Sequence, residues 1–107
     1  IMGLTFKENC SDLRNSGIEK VITELKKFKC DIDLLDTLAD KEDINKLYKI
    51  YPIIKMDDNV YDAVLIVVAH NEFKKIGLSK IKASCKKKHV IFDLKNLFKS
   101  NTVDLKL

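Results

Sequence analysis

AVLIVVA, running from Ala63 to Ala69, is the longest apolar stretch in the chain. A membrane-spanning helix takes about 20 apolar residues, so this run is far too short to be one. It is rich in β-branched side chains, which suit extended backbone, and it lacks the alternation of a half-exposed strand. An unbroken run of this kind marks a parallel strand covered on both faces. Parallel neighbours need crossover connections, usually helical, so the sequence on either side has to supply helices.

It does so in both directions. Downstream, Asn71 is expected to cap a short helical turn. Leu78 to Cys85 forms another helix, with Leu78, Ile81 and Cys85 inward, and Val90 to Asp93 is a last parallel strand. The tail SNTVDLKL adds a strand or lies loose. Upstream, Asp40 caps a helix to about Tyr48, with Ile44, Leu47 and Tyr48 inward, and Pro52 stops it. Ile53 to Lys55 reads as a short edge strand, where proline is tolerated. DIDLLD (Asp31 to Asp36) alternates and reads as a further strand. Before it lies the clearest helical pattern. Ser16 is the expected N-cap, and Glu19 completes a capping box. Ile18, Val21, Ile22, Leu25 and Phe28 share a face, and Lys26, Lys27 and Lys29 crowd the last turn, where the helix dipole favours cations. Residues 1–4 form a short apolar strand. The order β-α-β-α-(β)-β-α-β predicts an α/β fold, with helices on both faces of a mostly parallel sheet of about five strands. Right-handed crossovers then bring the carboxyl ends of the strands to one edge.

The chain of 107 residues suffices for one domain with a modest core. With 46% apolar and 34% charged residues its composition is that of an ordinary globular protein. Lys7 and Glu8 interrupt the apolar start, which argues against a signal peptide. Cys10, Cys30 and Cys85 are odd in number and widely spaced, so they fit neither a disulfide framework nor a zinc site. Free thiols point to a reducing compartment, the cytoplasm. The net charge of +4 permits an anionic ligand without requiring one. Because IMGLTF opens a strand at the first residue, the chain is expected to be a piece of something larger.

Ligands of open α/β sheets bind beyond the carboxyl ends of the strands. The residues there are Phe6 and Lys7 after the first strand, Asp36 after the second, His70 after the long apolar run, and Asp93 and Lys95 after the last. Arg14 precedes the first strong helix, near its positive end. Lys7, Arg14 and Lys95 should converge on one rim able to hold phosphate groups. Each residue also has a plainer reading. Lys7 is a solvated loop lysine, Arg14 pairs with Asp12, Asp36 is a turn residue in place of a ribose-binding acid, and His70 closes a strand. Lys86 to Lys88 solvate a helix end, and without interleaved aromatics they mark no nucleic-acid surface. Cys10 has no evident activating base beside it. The loop at Gly3 to Ser16 (GLTFKENCSDLRNS) has a single glycine where a phosphate-wrapping turn would have several. There is no GxGxxG, no HExxH and no paired-cysteine motif, and hence no metal site is expected.

That loop resembles the start of the C-terminal domain of the UDP-glucose/GDP-mannose dehydrogenase family, G-x-x-F-K-x-(N/D)-x-x-D-x-R-x-S. LLDTLADKEDI, YDAVLIVVAHNEF and HVIFDLKNLF resemble later segments of the same domain in order and spacing. The resemblance implies a Rossmann-like three-layer α/β/α unit spanning residues 1–107, the nucleotide-sugar-binding part of a larger enzyme whose N-terminal NAD domain and central helical region are absent here. It implies NAD-dependent oxidation of the C6 alcohol of a UDP-sugar to a uronic acid, for surface polysaccharide synthesis. NAD would be bound mainly by the absent domain, and the full-length enzyme would be a homodimer. By family pattern Phe6, Lys7 and Lys95 contact the substrate and Arg14 reaches toward NAD. No catalytic residue lies in this chain, so alone it should be inactive. The ADKE start and the AHNEF strand end look closer to the branch acting on UDP-N-acetylhexosamines. The alternative is a free-standing nucleotide- or phosphate-binding α/β module.

Overall fold

The computed structural model describes residues 1–99 and 102–106. Only the first part of the AVLIVVA run is strand, and it is not covered on both faces: Val64, Ile66 and Val68 are buried, while Ala63 is exposed and Leu65, Val67 and Ala69 are half-buried. Strand β1 spans Tyr61–Ile66, and Val67 to Ala69 continue beyond it. It pairs in parallel with β2, Cys85–Asp93, placing Val64 opposite Ile91 and Ile66 opposite Asp93. The two-residue β3, Leu105–Lys106, lies parallel on the far side of β2.

On the free side of β1 stands the N-terminal segment. Met2 forms parallel bridges to both Ile66 and Leu35. Met2 N–H donates to the Leu65 carbonyl (2.8 Å), Val67 N–H to the Met2 carbonyl (2.9 Å), and Gly3 N–H to the Leu35 carbonyl (2.9 Å). The strands expected at 1–4 and 31–36 are therefore present as single parallel bridges and not as regular ladders; among the described residues the regular sheet has three strands. One reason is Gly3, whose φ of +94° departs from extended backbone just after Met2. A Cβ there would lie 2.6 Å from Val68 Cβ and 2.8 Å from Val68 N. The lone glycine of the loop thus serves the close approach of two neighbouring segments.

Among the described residues there are four α-helices: α1, Ile18–Lys27; α2, Lys41–Tyr48; α3, Asn71–Ile76; and α4, Leu78–Ser84. They divide the core in two. Ile18 and Ile22 of α1 and Ile44 and Tyr48 of α2 pack with Leu4, Leu34 and Ala39. Phe73 of α3 and Ile81 of α4 pack with Met2, Leu35, Val64, Ile66 and Ile91. Successive residues go to different clusters, Leu34 to one and Leu35 to the other, as a pleated segment dictates. The chain is thus α/β with a small parallel sheet.

Several local expectations are corrected. The N-cap of α1 is Gly17 at φ +75°, not Ser16, and no side chain caps it. Ser16 Oγ makes long contacts of 3.4 Å to Ile18 N–H and the Tyr48 hydroxyl instead. Of the α1 stripe, Ile18 and Ile22 are buried; Val21 is partly open, and Phe28, at the C-cap, is 78% exposed. Asp40 does cap α2, its Oδ1 accepting from Asp43 N–H at 3.0 Å, but Leu47 is exposed. The helix ends at Lys49 in left-handed backbone, before Pro52 is reached. Residues 53–55 form no strand; Ile53 N–H makes one bond, to the Leu34 carbonyl. His70, not Asn71, is the N-cap residue of α3. Strand β2 begins five residues ahead of the expected Val90, so Lys86 to Lys88 lie exposed in a strand and not at a helix end. Lys86 Nζ reaches Asp62 at 3.4 Å. In the tail, residues 100, 101 and 107 lie outside the described residues.

Candidate functional site

The segments at 1–4 and 31–36, β1 and β2 run parallel, and a buried aspartate organises the turn after two of them. Asp36 follows Leu35. Its Oδ1 accepts from Leu38 N–H (2.9 Å) and Ala39 N–H (3.0 Å), and its Oδ2 from Leu4 N–H (2.8 Å). Asp93 ends β2. Its Oδ1 accepts from Lys95 N–H (3.2 Å) and Leu97 N–H (3.1 Å), and its Oδ2 from Phe98 N–H (2.9 Å). Short carboxylates suit this task because they accept from backbone N–H groups of the turn that follows them, two and three residues on at Asp36 and two to five on at Asp93. Asp36 is the turn residue of the two readings its sequence position allowed. With its side chain fully buried, it has no surface to offer a ribose.

His70 lies between Asp36 and the opening loop, itself fully buried. Its Nε2 stands 3.0 Å from Asp36 Oδ2 and 3.3 Å from Thr5 Oγ1. Its Nδ1 accepts from Asn9 N–H at 3.0 Å, and its ring tilts against Phe73 at 5.2 Å. Asn9 Oδ1 in turn accepts from Asn71 N–H, so the loop satisfies the first turn of α3. Thr5 Oγ1 donates to the Lys7 carbonyl (2.9 Å), and Phe6 N–H donates to the Asp12 carbonyl (2.7 Å). The loop is thus closed on itself and held from below. Burial acts to raise the Asp36 carboxyl, but His70 and the N–H groups of Leu4, Ala39 and Leu38 outweigh it and hold the pKa below the ordinary carboxylate value.

What the loop presents is Phe6, 57% exposed, and Lys7, also exposed. Lys95 is exposed at the start of the Asp93-anchored turn. Among the described residues neither lysine's ammonium makes an ion pair. Arg14 is exposed but engaged. Its Nε lies 3.0 Å from Asp12 Oδ1 and its Nη2 2.9 Å from Asp12 Oδ2. Bonds from the Arg14 side chain and backbone hold the Asp12 carboxyl down at about 2. Arg14 and Asp12 therefore form the pair weighed from sequence, while Arg14 Nη1 makes no hydrogen bond among the described residues. Beside it, Leu13 to Gly17, Glu19, Leu47 and Tyr48 line a surface pocket, which accounts for the exposed Leu47.

Lys7 follows the Met2 segment and Lys95 follows β2, both of which run parallel to β1. The sequence reading missed Thr5 and Asn9. Asn9, at φ +58°, could have been flagged as an asparagine in a tight loop, where left-handed backbone is tolerated. Its bond to a histidine far along the chain left no local signal. Among the described residues no group of three or more His, Cys, Asp or Glu could hold a metal ion, and no helix is long and apolar enough to cross a membrane.

Comparison with known proteins gives this site a context. Residues 1–100 match the model of the UDP-glucose/GDP-mannose dehydrogenase family, UDP binding domain. The chain is 39% identical over its full length to a UDP-N-acetyl-D-glucosamine 6-dehydrogenase of Salmonella typhi and, equally, to one of Pseudomonas aeruginosa, covering 25% of each. It is 34% identical over 101 residues, covering 22%, to a UDP-N-acetyl-D-mannosamine dehydrogenase of Methanocaldococcus jannaschii. The chain spans about a quarter of the length of these relatives. On the strength of a match along nearly all of its residues, the chain belongs to the UDP-glucose/GDP-mannose dehydrogenase family, as its UDP binding domain.

Proposed function

We propose that the chain is the substrate-binding domain of an NAD-dependent nucleotide-sugar 6-dehydrogenase, one that oxidises the C6 alcohol of a UDP-sugar to a uronic acid for surface polysaccharide synthesis. The single observation that carries this is the family match over residues 1–100. The relatives named for UDP-N-acetylhexosamines favour a substrate of that class. In this reading the extended segments at 31–36 and 1–4 join β1, β2 and β3 as a five-membered Rossmann-like sheet between two helical layers. Phe6, Lys7 and Lys95 meet the substrate. Lys7 and Lys95 bring positive charge to the diphosphate, and Phe6 offers an exposed ring to a flat or apolar part of the ligand. The rest of the enzyme supplies the NAD-binding domain, the central helical region and the homodimer, in the cytoplasm.

A cofactor cradle is not built here. The loop's one glycine is committed to Val68, so the chain fits a charge contact to a cofactor held elsewhere, through Arg14. When bound, NAD accepts the hydride. The residues of this chain bind and orient the sugar nucleotide and make none of the covalent chemistry, because transfer needs cofactor, sugar and nucleophile within reacting distance. Calorimetric titration of the chain with UDP tests the reading. Saturable binding is expected, weakened about tenfold or more by Lys7→Ala, the loss of one charge-assisted contact. NADH formation from UDP-N-acetylhexosamines by the chain alone should be nil. No UDP binding, or turnover by the isolated chain, overturns the proposal. A free-standing binding module predicts the same affinity with and without the remaining domains.

A further inference from the structure

We propose that His70 is a positioning residue for the substrate loop, a neutral imidazole protonated at Nε2 that clamps Asn9 and thereby sets Phe6 and Lys7. The proposal rests on the reading that this loop meets the nucleotide. The tautomer follows from the partners. A backbone N–H can only donate, so Asn9 N–H at 3.0 Å requires a lone pair on Nδ1. The proton then sits on Nε2 and is donated to the Asp36 carboxylate at 3.0 Å, with Thr5 Oγ1 at 3.3 Å as a secondary acceptor. Thr5 can fill that role because its own proton goes to the Lys7 carbonyl. The groups facing the ring are thus the Asp36 carboxylate, the Thr5 hydroxyl, the Asn9 amide and the Phe73 ring.

The consequence is a continuous chain of contacts. Asp36 is fixed by three backbone N–H groups, His70 is fixed by Asp36, and the loop is fixed by His70 at Asn9 and by Thr5 at Lys7. An imidazolium would donate at both nitrogens, lose the Asn9 bond and leave that N–H unpaired. A histidine serves here because it spans from a buried acceptor to a backbone donor with one rigid ring.

Two substitutions separate the two ends of the ring. His70→Asn places an acceptor near the Nδ1 position and lacks the donor to Asp36. His70→Gln places a donor near the Nε2 position and lacks the acceptor for Asn9. Both should lower stability in urea. Both should also weaken UDP binding, His70→Gln by about tenfold and clearly more than His70→Asn, because only the former loses the acceptor that holds Asn9. Equal losses in the two, or a larger loss in His70→Asn, overturn the clamp. Nitrogen NMR of the unsubstituted chain tests it without any variant. The Nε2–H tautomer and a coupling across the hydrogen bond between Asn9 N and His70 Nδ1 are expected, and their absence overturns it even if both variants fail to fold. If the parent chain binds no UDP, the functional reading falls, while the coupling still decides whether the clamp exists.

Discussion

Replacing Gly3 by alanine should be among the most damaging single changes in this protein. Two terms add. At φ +94° a side chain strains the backbone, at about 1–2 kcal/mol. The new Cβ would also lie 2.6 Å from Val68 Cβ and 2.8 Å from Val68 N, well inside contact distance. Backbone cannot swing aside as the end of a side chain would, and the 2.9 Å bond from Val67 N–H to the Met2 carbonyl ties the two segments together. Forced displacement of this kind costs about 1–3 kcal/mol. The sum, about 2–5 kcal/mol, is a large part of the roughly 5–15 kcal/mol that holds a domain folded. Gly17→Ala is the internal control. Gly17 also has positive φ, +75°, but an added Cβ meets nothing within 4 Å. It should lose the backbone term alone, about 1–2 kcal/mol. Urea unfolding followed by circular dichroism, with unchanged m-values, reads both. If Gly3→Ala costs no more than Gly17→Ala, the close approach to Val68 is not what selects glycine there.

Other outcomes follow from the same contacts. Asp36 is held below its ordinary pKa of 3.8, so its contribution is complete above that value and is lost as the pH falls through its lower folded value; Asp36→Asn should flatten the acid limb of stability measured by urea midpoints against pH. In Arg14→Ala the Asp12 carboxyl should rise from about 2 toward 3.8, read by carbon NMR titration. Asp40→Ala removes the α2 cap and should cost about 1 kcal/mol in urea unfolding, with little effect on UDP affinity.

The large features of the fold were legible because they rest on local chemistry. AVLIVVA announced β1, the 18–27 periodicity announced α1, and Asp40 announced the start of α2. What failed did so where neighbours decide. Val21, Phe28 and Leu47 carry the right periodicity yet are exposed: Leu47 lines the surface pocket beside Arg14, and Phe28 lies past the helix end. Ser16 was displaced as a cap because Asn15 and Gly17 both take positive φ and shift the helix start by one residue. The site shows the same division. Topology alone led to the expectation that Lys7, Phe6 and Lys95 lie beyond the ends of parallel segments, and all three are exposed there. Their supports were not legible, since Asn9 meets His70 and His70 meets Asp36 across long loops, and a buried carboxylate reads in sequence like any exposed one.

The bridges of Met2 to Leu35 on one side and Ile66 on the other carry a lesson about time as well as space. Of the extended segments among these residues, the first to be synthesised is an interior one, and its second neighbour is not made until more than half of these residues have followed. Until Tyr61–Ile66 emerges, one hydrogen-bonding edge of that segment stays open to whatever passes, and the ring-closure entropy of joining it must be met before its burial is rewarded. Productive assembly therefore waits on β1, and slowing translation just ahead of Tyr61 would lengthen the interval in which the nascent chain is open to aggregation.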